Sequence, residues 1–235
     1  MAAGRHGRGP VLKIVLLESP LETVPAKLWR HPQVQRSTRR YGIEPSEMLL
    51  DKTLHYHAME ALPQKWKRGR PDIVHTTLLL LQDSLLNHAG RLRLYIHVYD
   101  GRVFAINPET RLPKHYERFR GLMAQLLRHG RVPPEGEKPL IALEAPSLTE
   151  FVKKHGKLIL LDEKGKPSTS AQVVRLALQT GKPIGIGMFP RGEFKKSTQR
   201  KAWIMLSLAK GRPLKAWTIA YRVTAAAEDA LNLAW

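Results

Sequence analysis

Cysteine is absent from the 235 residues of this sequence. Its absence excludes disulfide bonds, thiolate nucleophiles, iron–sulfur clusters and zinc sites built on cysteine, and it is typical of intracellular proteins. The ten histidines are scattered without the carboxylate spacing that marks a metal site. We therefore expect no metal partner.

Long hydrophobic runs are absent as well. The most apolar stretch, residues 73–86, is interrupted by His75, Gln82 and Asp83, and it is shorter than the ~20 apolar residues that span a bilayer. Residues 1–10 are rich in glycine and arginine and lack the apolar core of a signal peptide. We expect a mobile basic arm at residues 1–10, a cytoplasmic location and no membrane partner.

Acidic residues are scarce relative to basic ones. The chain has 20 Asp and Glu against 39 Lys and Arg, which gives a formal net charge of +19. Solubility does not require so large an excess of positive charge. The excess therefore implies a polyanionic partner, and nucleic acid is the first candidate. Hydrophobic residues make up 43 % and charged residues 25 %, a composition typical of a globular domain.

Hydrophobic periodicity predicts six strands and six helices. The predicted strands are residues 11–17, 91–99, 102–106, 140–143, 157–161 and 183–188. The predicted helices are residues 51–62, 71–88, 113–130, 147–155, 170–179 and 214–235. The alternation of strands and helices from residue 140 onward predicts an α/β fold, with a mostly parallel sheet flanked by helices.

A glycine-rich loop follows the last predicted strand, at residues 185–192. Glycines allow the backbone to approach a ligand closely, and open α/β sheets bind ligands at the carboxyl ends of their strands. The loop is not a dinucleotide fingerprint, because Pro190 occupies the place of the third glycine, and it lacks the Gly-Lys-Ser/Thr of a phosphate-binding loop. A plain turn is the alternative interpretation.

Two groups of basic residues could contact a polyanion. Arg70 and Asp72 flank a proline, so they could pair and fix the guanidinium for a phosphate or a base edge; alternatively, Asp72 only serves the start of a helix. Arg111 precedes the helix predicted at 113–130; if the phase of this helix is extended back to it, Arg111, Lys114 and Arg118 lie opposite the apolar stripe. This row could engage successive phosphates, or it could be an ordinary solvated helix face.

Five segments together resemble one known family. They are Leu49–Asp51, Gly69–His75, Ile106–Lys114, Gly121–Met123 and Ile186–Gly192. Single positions add to the resemblance: His55, Met59, Arg118, Phe119, Ser207, Pro213, Leu214 and Glu228. The family is the nucleolar-essential-protein-one group of rRNA pseudouridine N1-methyltransferases, of the archaeal type, within the SPOUT (α/β-knot) superfamily. The resemblance extends from about Val11 to Trp235 and implies a single SPOUT domain over residues 11–235, with family-specific hairpin and helical elaborations within about 18–106.

This resemblance implies an enzyme that uses S-adenosyl-L-methionine to methylate N1 of a pseudouridine in small-subunit rRNA during ribosome biogenesis. It also implies a homodimer and a trefoil knot near the carboxyl terminus, a feature otherwise almost absent from proteins. The alternative function is that of a non-catalytic ribosome-assembly factor that binds the same rRNA through its basic surface.

The resemblance also implies roles for individual residues. The residues expected to bind the cofactor are Leu161, Gly187, Gly192, Leu206, Ser207, Leu208, Pro213 and Leu214. The residues expected to bind RNA are Arg70, Arg111, Lys114 and Arg118, and Lys114 stands where the family pattern has arginine. Arg70 could stabilise the charge that develops on the target base, and Asp72 could orient Arg70 or accept the proton; we favour orientation.

Overall fold

The aliphatic segment Leu12–Ser19 forms a strand inside the sheet of the computed structural model, which describes residues 9–233. The strands in chain order are β1 (Leu12–Ser19), β2 (Leu92–Val98), β3 (Val103–Ile106), β4 (Arg131–Val132), β5 (Ile141–Ala145), β6 (Leu158–Pro167), β7 (Ile184–Gly187) and β8 (Ala202–Ser207). They form one sheet in the order β4-β5-β3-β2-β1-β7-β6-β8.

The sheet has a parallel part and an antiparallel part. Strands β2, β1, β7, β6 and β8 run parallel to one another, which confirms the α/β prediction for this side of the sheet. Strand β5 pairs antiparallel with both β3 and β4, so the first strand of the predicted β-α-β-α-β series lies outside the parallel part. The hairpin predicted at Asp100-Gly101 joins β2 to β3.

The helices in chain order are α1 (Pro32–Tyr41), α2 (Lys52–His55), α3 (Pro71–Gln82), α4 (Leu85–His88), α5 (Tyr116–His129), α6 (Leu148–His155), α7 (Ser170–Thr180), α8 (Lys196–Gln199) and α9 (Ala216–Ala230). Local capping explains several boundaries. For example, the Thr169 side chain accepts a hydrogen bond from the Gln172 N–H and the Gln172 side chain accepts one from the Thr169 N–H, a capping box that starts α7.

Two predicted helices are broken into shorter pieces in the structure, and the helix predicted at 214–235 extends only from Ala216 to Ala230. The helix predicted at 71–88 ends at Gln82, because the Ser84 side chain accepts a hydrogen bond from the Asn87 N–H and so starts a separate helix, α4. The helix predicted at 51–62 is only the single turn α2, followed by a 3-10 turn at Ala58–Ala61.

Side chains on the two faces of β1 enter two different parts of the core, as expected for a strand. Ile14 and Leu16 belong to the part that α3, α5, α7 and α9 cover, whereas Val15 and Leu17 belong to the part that α6 covers. A third, smaller cluster lies at residues 24–62. This cluster falls within the segment where the family elaborations are predicted, and the domain boundaries themselves stay a prediction.

Three further expectations from the sequence concern the basic arm, the knot and the membrane. The arm predicted at residues 1–10 lies outside the described residues except for Gly9 and Pro10. The trefoil knot stays a prediction. Over the span from residue 9 to residue 233, no helix is long and apolar enough to cross a membrane.

Two buried histidines make the stability of the fold depend on pH. Burial lowers the pKa of His55 and of His97 to about 4, from an ordinary value of 6.5. Between pH 6.5 and pH 4 the unfolded chain therefore binds more protons than the folded one, so stability falls as the pH falls through this window. We expect each histidine to contribute on the order of 3 kcal/mol to this loss, measured by urea unfolding.

A substitution isolates this effect from the titration of carboxylates. His97→Gln should make the free energy of unfolding less dependent on pH between 6.5 and 4, whereas His88→Gln, which changes an exposed histidine, should leave the dependence unchanged. Equal pH dependence in the wild type and in His97→Gln would contradict the prediction.

Candidate active site

Three neighbouring parallel strands open at their carboxyl-terminal side into a cleft of about 640 Å³. Leu161 of β6, Gly187 of β7 and Leu206 of β8 lie along its wall. This edge is where open α/β sheets bind their ligands, and the volume lies in the range of small-molecule sites.

All eight residues expected to bind the cofactor line this cleft. Besides the three strand residues, Gly192 comes from the loop after β7. Ser207, Leu208, Pro213 and Leu214 come from the end of β8 and the segment that joins it to α9. The structure thus brings together residues from three separate parts of the sequence, and their role in cofactor binding stays a prediction.

The segment between β8 and α9 owes its shape to local hydrogen bonds. The Ser207 hydroxyl accepts a hydrogen bond from the Gly211 N–H at 3.0 Å, and the Arg212 N–H donates to the Ala209 carbonyl at 3.1 Å. Gly211 has a φ of +82°, a backbone conformation that favours glycine. The turn therefore folds back on Ser207, and residues on both sides of it line the cleft.

The glycine at position 187 is explained by the protein's own side chains. A Cβ atom on Gly187 would lie 2.9 Å from Phe194 Cζ and 3.2 Å from Phe189 Cε1. These two phenylalanines form an edge-to-face pair with ring centroids 5.1 Å apart. The two phenylalanines are enough to explain why residue 187 is glycine, so the close approach of a ligand, which the sequence suggested, is not needed as the reason. Gly187 nevertheless lines the cleft.

Arg70 and Asp72 form the predicted pair at the cleft. Arg70 Nε donates to Asp72 Oδ1 at 2.8 Å and Arg70 Nη2 donates to Asp72 Oδ2 at 2.7 Å, a bidentate arrangement. These hydrogen bonds raise the pKa of Arg70 and keep it charged. Asp72 also lies in the first turn of α3, so the two alternative interpretations of this carboxylate both describe it. Of the pair, Arg70 lines the cleft.

The second basic row lies outside the cleft on an exposed surface. Arg111 and Lys114 precede α5 and Arg118 lies in its first turn, and all three residues are exposed. Arg111 precedes the helix, as predicted, but Lys114 also precedes it, because the helix begins only at Tyr116, so the predicted helical face does not apply to Lys114. The exposure of all three residues agrees with either a phosphate-binding row or a solvated face.

Asp51 and Lys52, which are consecutive in the chain, connect this row to the segment that carries Arg70. The buried Asp51 accepts a hydrogen bond from the Tyr116 hydroxyl on Oδ2 at 2.8 Å, and burial together with this carboxylate raises the pKa of Tyr116. The Lys52 N–H donates to the Gly69 carbonyl at 2.8 Å. These hydrogen bonds link the start of α5, through Asp51 and Lys52, to the residue before Arg70.

A sequence model of the family described as EMG1/NEP1 methyltransferase matches residues 14–228. The chain belongs to the EMG1/NEP1 methyltransferase family. Its relatives include "Ribosomal RNA small subunit methyltransferase Nep1" of Aeropyrum pernix, 57 % identical over 92 % of this chain and 97 % of that protein. The protein of the same name from Staphylothermus marinus is 43 % identical over 94 % of this chain and 97 % of its own length.

A solved structure of the family has the same fold. The crystal structure of Archaeoglobus fulgidus Nep1 bound to S-adenosylhomocysteine superposes with a TM-score of 0.83 at 34 % identity. The match covers 95 % of this chain and 99 % of that one. The family resemblance seen in the sequence motifs is therefore confirmed, and so is the α/β fold class.

Sequence reasoning missed part of this EMG1/NEP1 cleft. Asp162, Glu163 and Lys164 line it because β6 continues to Pro167, beyond the predicted end at residue 161. Trp217, in the first turn of α9, also lines it. No local pattern marks these residues, since their position depends on how β6 and α9 pack. In the described part of the chain, no three His, Asp or Glu side chains are grouped as metal ligands, and the expectation of no metal stays a prediction.

Proposed function

We propose that this chain transfers a methyl group from S-adenosyl-L-methionine to N1 of a pseudouridine in small-subunit rRNA. Arg70 and the eight expected cofactor residues line one cleft, and this juxtaposition supports the proposal most directly. The proposal includes a homodimer, a single SPOUT domain over residues 11–235 and a cytoplasmic location, each of which the family resemblance implies.

The lining of the cleft fits the chemistry of this cofactor. Leu161, Leu206, Leu208 and Leu214 supply an apolar wall suited to the adenine ring, and Ser207 adds a hydroxyl beside backbone N–H and C=O groups. When bound, the cofactor supplies an electrophilic methyl group on a sulfonium. The chain therefore needs to provide no metal and no thiol, and its task is to bring a nucleophilic nitrogen into line.

Arg70 is placed to stabilise the charge that develops on the target base. A guanidinium has five N–H donors, and Asp72 accepts two of them, so three remain for the base carbonyls and phosphate. As N1 loses its proton to solvent water, negative charge spreads to the neighbouring carbonyl oxygens, where a fixed cation is most effective. Asp72 has both oxygens engaged by Arg70, and we therefore assign it the orienting role.

Asp72→Asn separates the two chemical roles of this carboxylate. If Asp72 only orients Arg70, the amide oxygen still accepts one hydrogen bond, and we expect kcat to fall by about 10-fold with no change in its pH profile. A proton acceptor at this position would instead lose turnover while RNA and cofactor affinity stay intact. The pH profile of kcat therefore decides between the two roles. It stays unchanged in Asp72→Asn if Asp72 only orients Arg70, and it loses the titration of the general base if Asp72 accepts the proton.

The test of the function is a calorimetric titration with S-adenosyl-L-methionine, followed by mass mapping of small-subunit rRNA that the purified protein has treated. We expect saturable heat at one site per chain and a mass increase of one methyl group on a pseudouridine. RNA binding without cofactor heat would instead support the non-catalytic assembly factor. Methylation of a different nucleotide would overturn the assignment of the target.

The exposed row at α5 gives a prediction about salt. Arg118→Gln should weaken rRNA binding and reduce the slope of log affinity against log salt by ~0.7–0.9, the value for one lost phosphate contact. Lys153→Gln is a matched control, because Lys153 is also exposed but lies on α6, which covers the other part of the core. An unchanged slope in Arg118→Gln would show that this row is only a solvated face.

A further inference from the structure

Trp66 is a large apolar side chain exposed within a basic turn. It is 53 % exposed, the highest value among the tryptophans of the described residues. It lies in the 3-10 turn Lys65–Lys67, which leads through Arg68 to Arg70. An exposed indole adds little to the core, and the Arg70–Asp72 pair does not use it.

Buried ion pairs hold this turn in place. Lys67 Nζ lies 2.7 Å from Glu18 Oε2, with both side chains less than a tenth exposed. Arg68 Nε donates to Glu22 Oε1 at 2.7 Å, again out of solvent. Lys67 also lies 4.0 Å from the ring centre of Phe189, on the loop after β7. Removing two ion pairs from water costs desolvation free energy, which offsets much of their attraction. We therefore take their main effect to be fixing the conformation of the turn.

The turn places Trp66 against the loop after β7, four residues before Arg70 in the chain. Trp66 Nε1 would lie 3.2 Å from a Cβ on Gly192, so the indole packs directly against the loop after β7. Arg70, four residues along the chain, lines the same cleft as Gly192. Trp66 therefore lies beside the cleft rather than in it, in contact with one of the residues that line it.

We propose that the indole of Trp66 is a stacking platform for an unpaired RNA base adjacent to the methylated nucleotide. Proteins recognise single-stranded RNA largely by stacking its bases on aromatic rings beside a cationic surface. The exposed Arg191, next to Gly192 in the chain, supplies such a cation here, within a chain of net charge +19, whereas Lys65 is paired with Glu60. A rigid ring is favourable for this role, since little conformational entropy is lost on binding. The proposal rests on the proposed function.

The test compares Trp66→Ala, Trp66→Phe and Trp203→Ala. Trp203 is a matched control, because it is 47 % exposed on the edge strand β8 and the cation over its ring is Lys182, at 5.1 Å, which does not line the cleft. The probes are a short oligouridylate and an abasic oligonucleotide of the same length, which keeps the phosphates and lacks the bases. We expect Trp66→Ala to lose about 10- to 100-fold in affinity for the oligouridylate, and Trp66→Phe to recover most of it.

Two further readouts separate stacking from charge. Trp66→Ala should bind the abasic probe as the wild type does, and its slope of log affinity against log salt should not change, because no phosphate contact is removed. In rRNA methylation, KM for the RNA should rise while kcat and cofactor affinity stay unchanged. Trp203→Ala should match the wild type throughout.

Three outcomes would overturn the proposal. They are an oligouridylate affinity of Trp66→Ala equal to that of the wild type, an equal loss on the abasic probe, and a change in oligomeric mass by light scattering with RNA affinity intact. The last result would assign the ring to a protein interface. Failure of the proposed function is distinguishable, since it shows as absent cofactor heat in the wild type, whatever the oligouridylate affinities.

Discussion

Replacing Arg70 by alanine is expected to lower kcat for rRNA methylation by about 100- to 1000-fold, the effect of removing one fixed donor at a developing negative charge. Single-turnover kinetics with saturating RNA would measure this loss. Cofactor affinity should stay close to that of the wild type, since the apolar wall of the cleft is unchanged. Arg70→Lys should recover only part of the rate, because lysine keeps the charge and loses the planar fork.

The chain contains a matched control for this experiment. Arg102 and Asp100 are also two residues apart, and Arg102 Nε donates to Asp100 Oδ2 at 2.9 Å, but the pair lies outside the cleft. Arg102→Ala should therefore leave kcat unchanged. An equal fall in Arg70→Ala and Arg102→Ala would show that the loss is structural and would contradict the assigned role of Arg70.

Breaking the buried ion pair at the end of β1 is expected to destabilise the fold strongly. Glu18→Gln leaves Lys67 as a buried charge without its partner, which we expect to lower the free energy of unfolding by about 3–5 kcal/mol. Glu18 Oε1 also accepts a hydrogen bond from the Lys195 N–H at 2.7 Å, so the loop before α8 should loosen as well. Urea unfolding measures the change.

Two variants control for this interpretation. The double variant Glu18→Gln/Lys67→Met should recover part of the lost stability, because it removes the unpaired charge. Glu150→Gln breaks an exposed pair with Lys153 and should cost less than about 1 kcal/mol. Equal losses in Glu18→Gln and Glu150→Gln would contradict the buried pair as the cause.

Elements with a regular apolar period were predictable, and those without one were not. The stripe that contains Phe119 and Met123 predicts α5, and both side chains are fully buried in the structure. Helix α1 was missed because only Val34 and Ser37 of its ten residues are buried. Strand β8 was missed because it lies at the sheet edge, where Trp203 is exposed and alternation is weak.

The same division applies to the site. The pairing of Arg70 with Asp72 was foreseeable because residues two apart around a proline cannot move far from each other. The eight residues expected to bind the cofactor follow from the resemblance to the family, and no periodicity places β6, β7 and β8 side by side. The contact of Trp66 with Gly192 joins two distant positions of the chain and has no signal in the sequence.

The order of residues was enough to establish which chemical groups this protein has: a strong excess of cations, no thiols, an arginine two residues from an aspartate, and the motifs of one enzyme family. Where these groups meet became evident only from the fold. The order of β7, β6 and β8 builds the cleft, and the hydrogen bonds of Asp51 and Lys52 link the two basic groups. Local pairs follow from chain geometry, whereas contacts across the sheet depend on strand order and register, which local patterns do not encode.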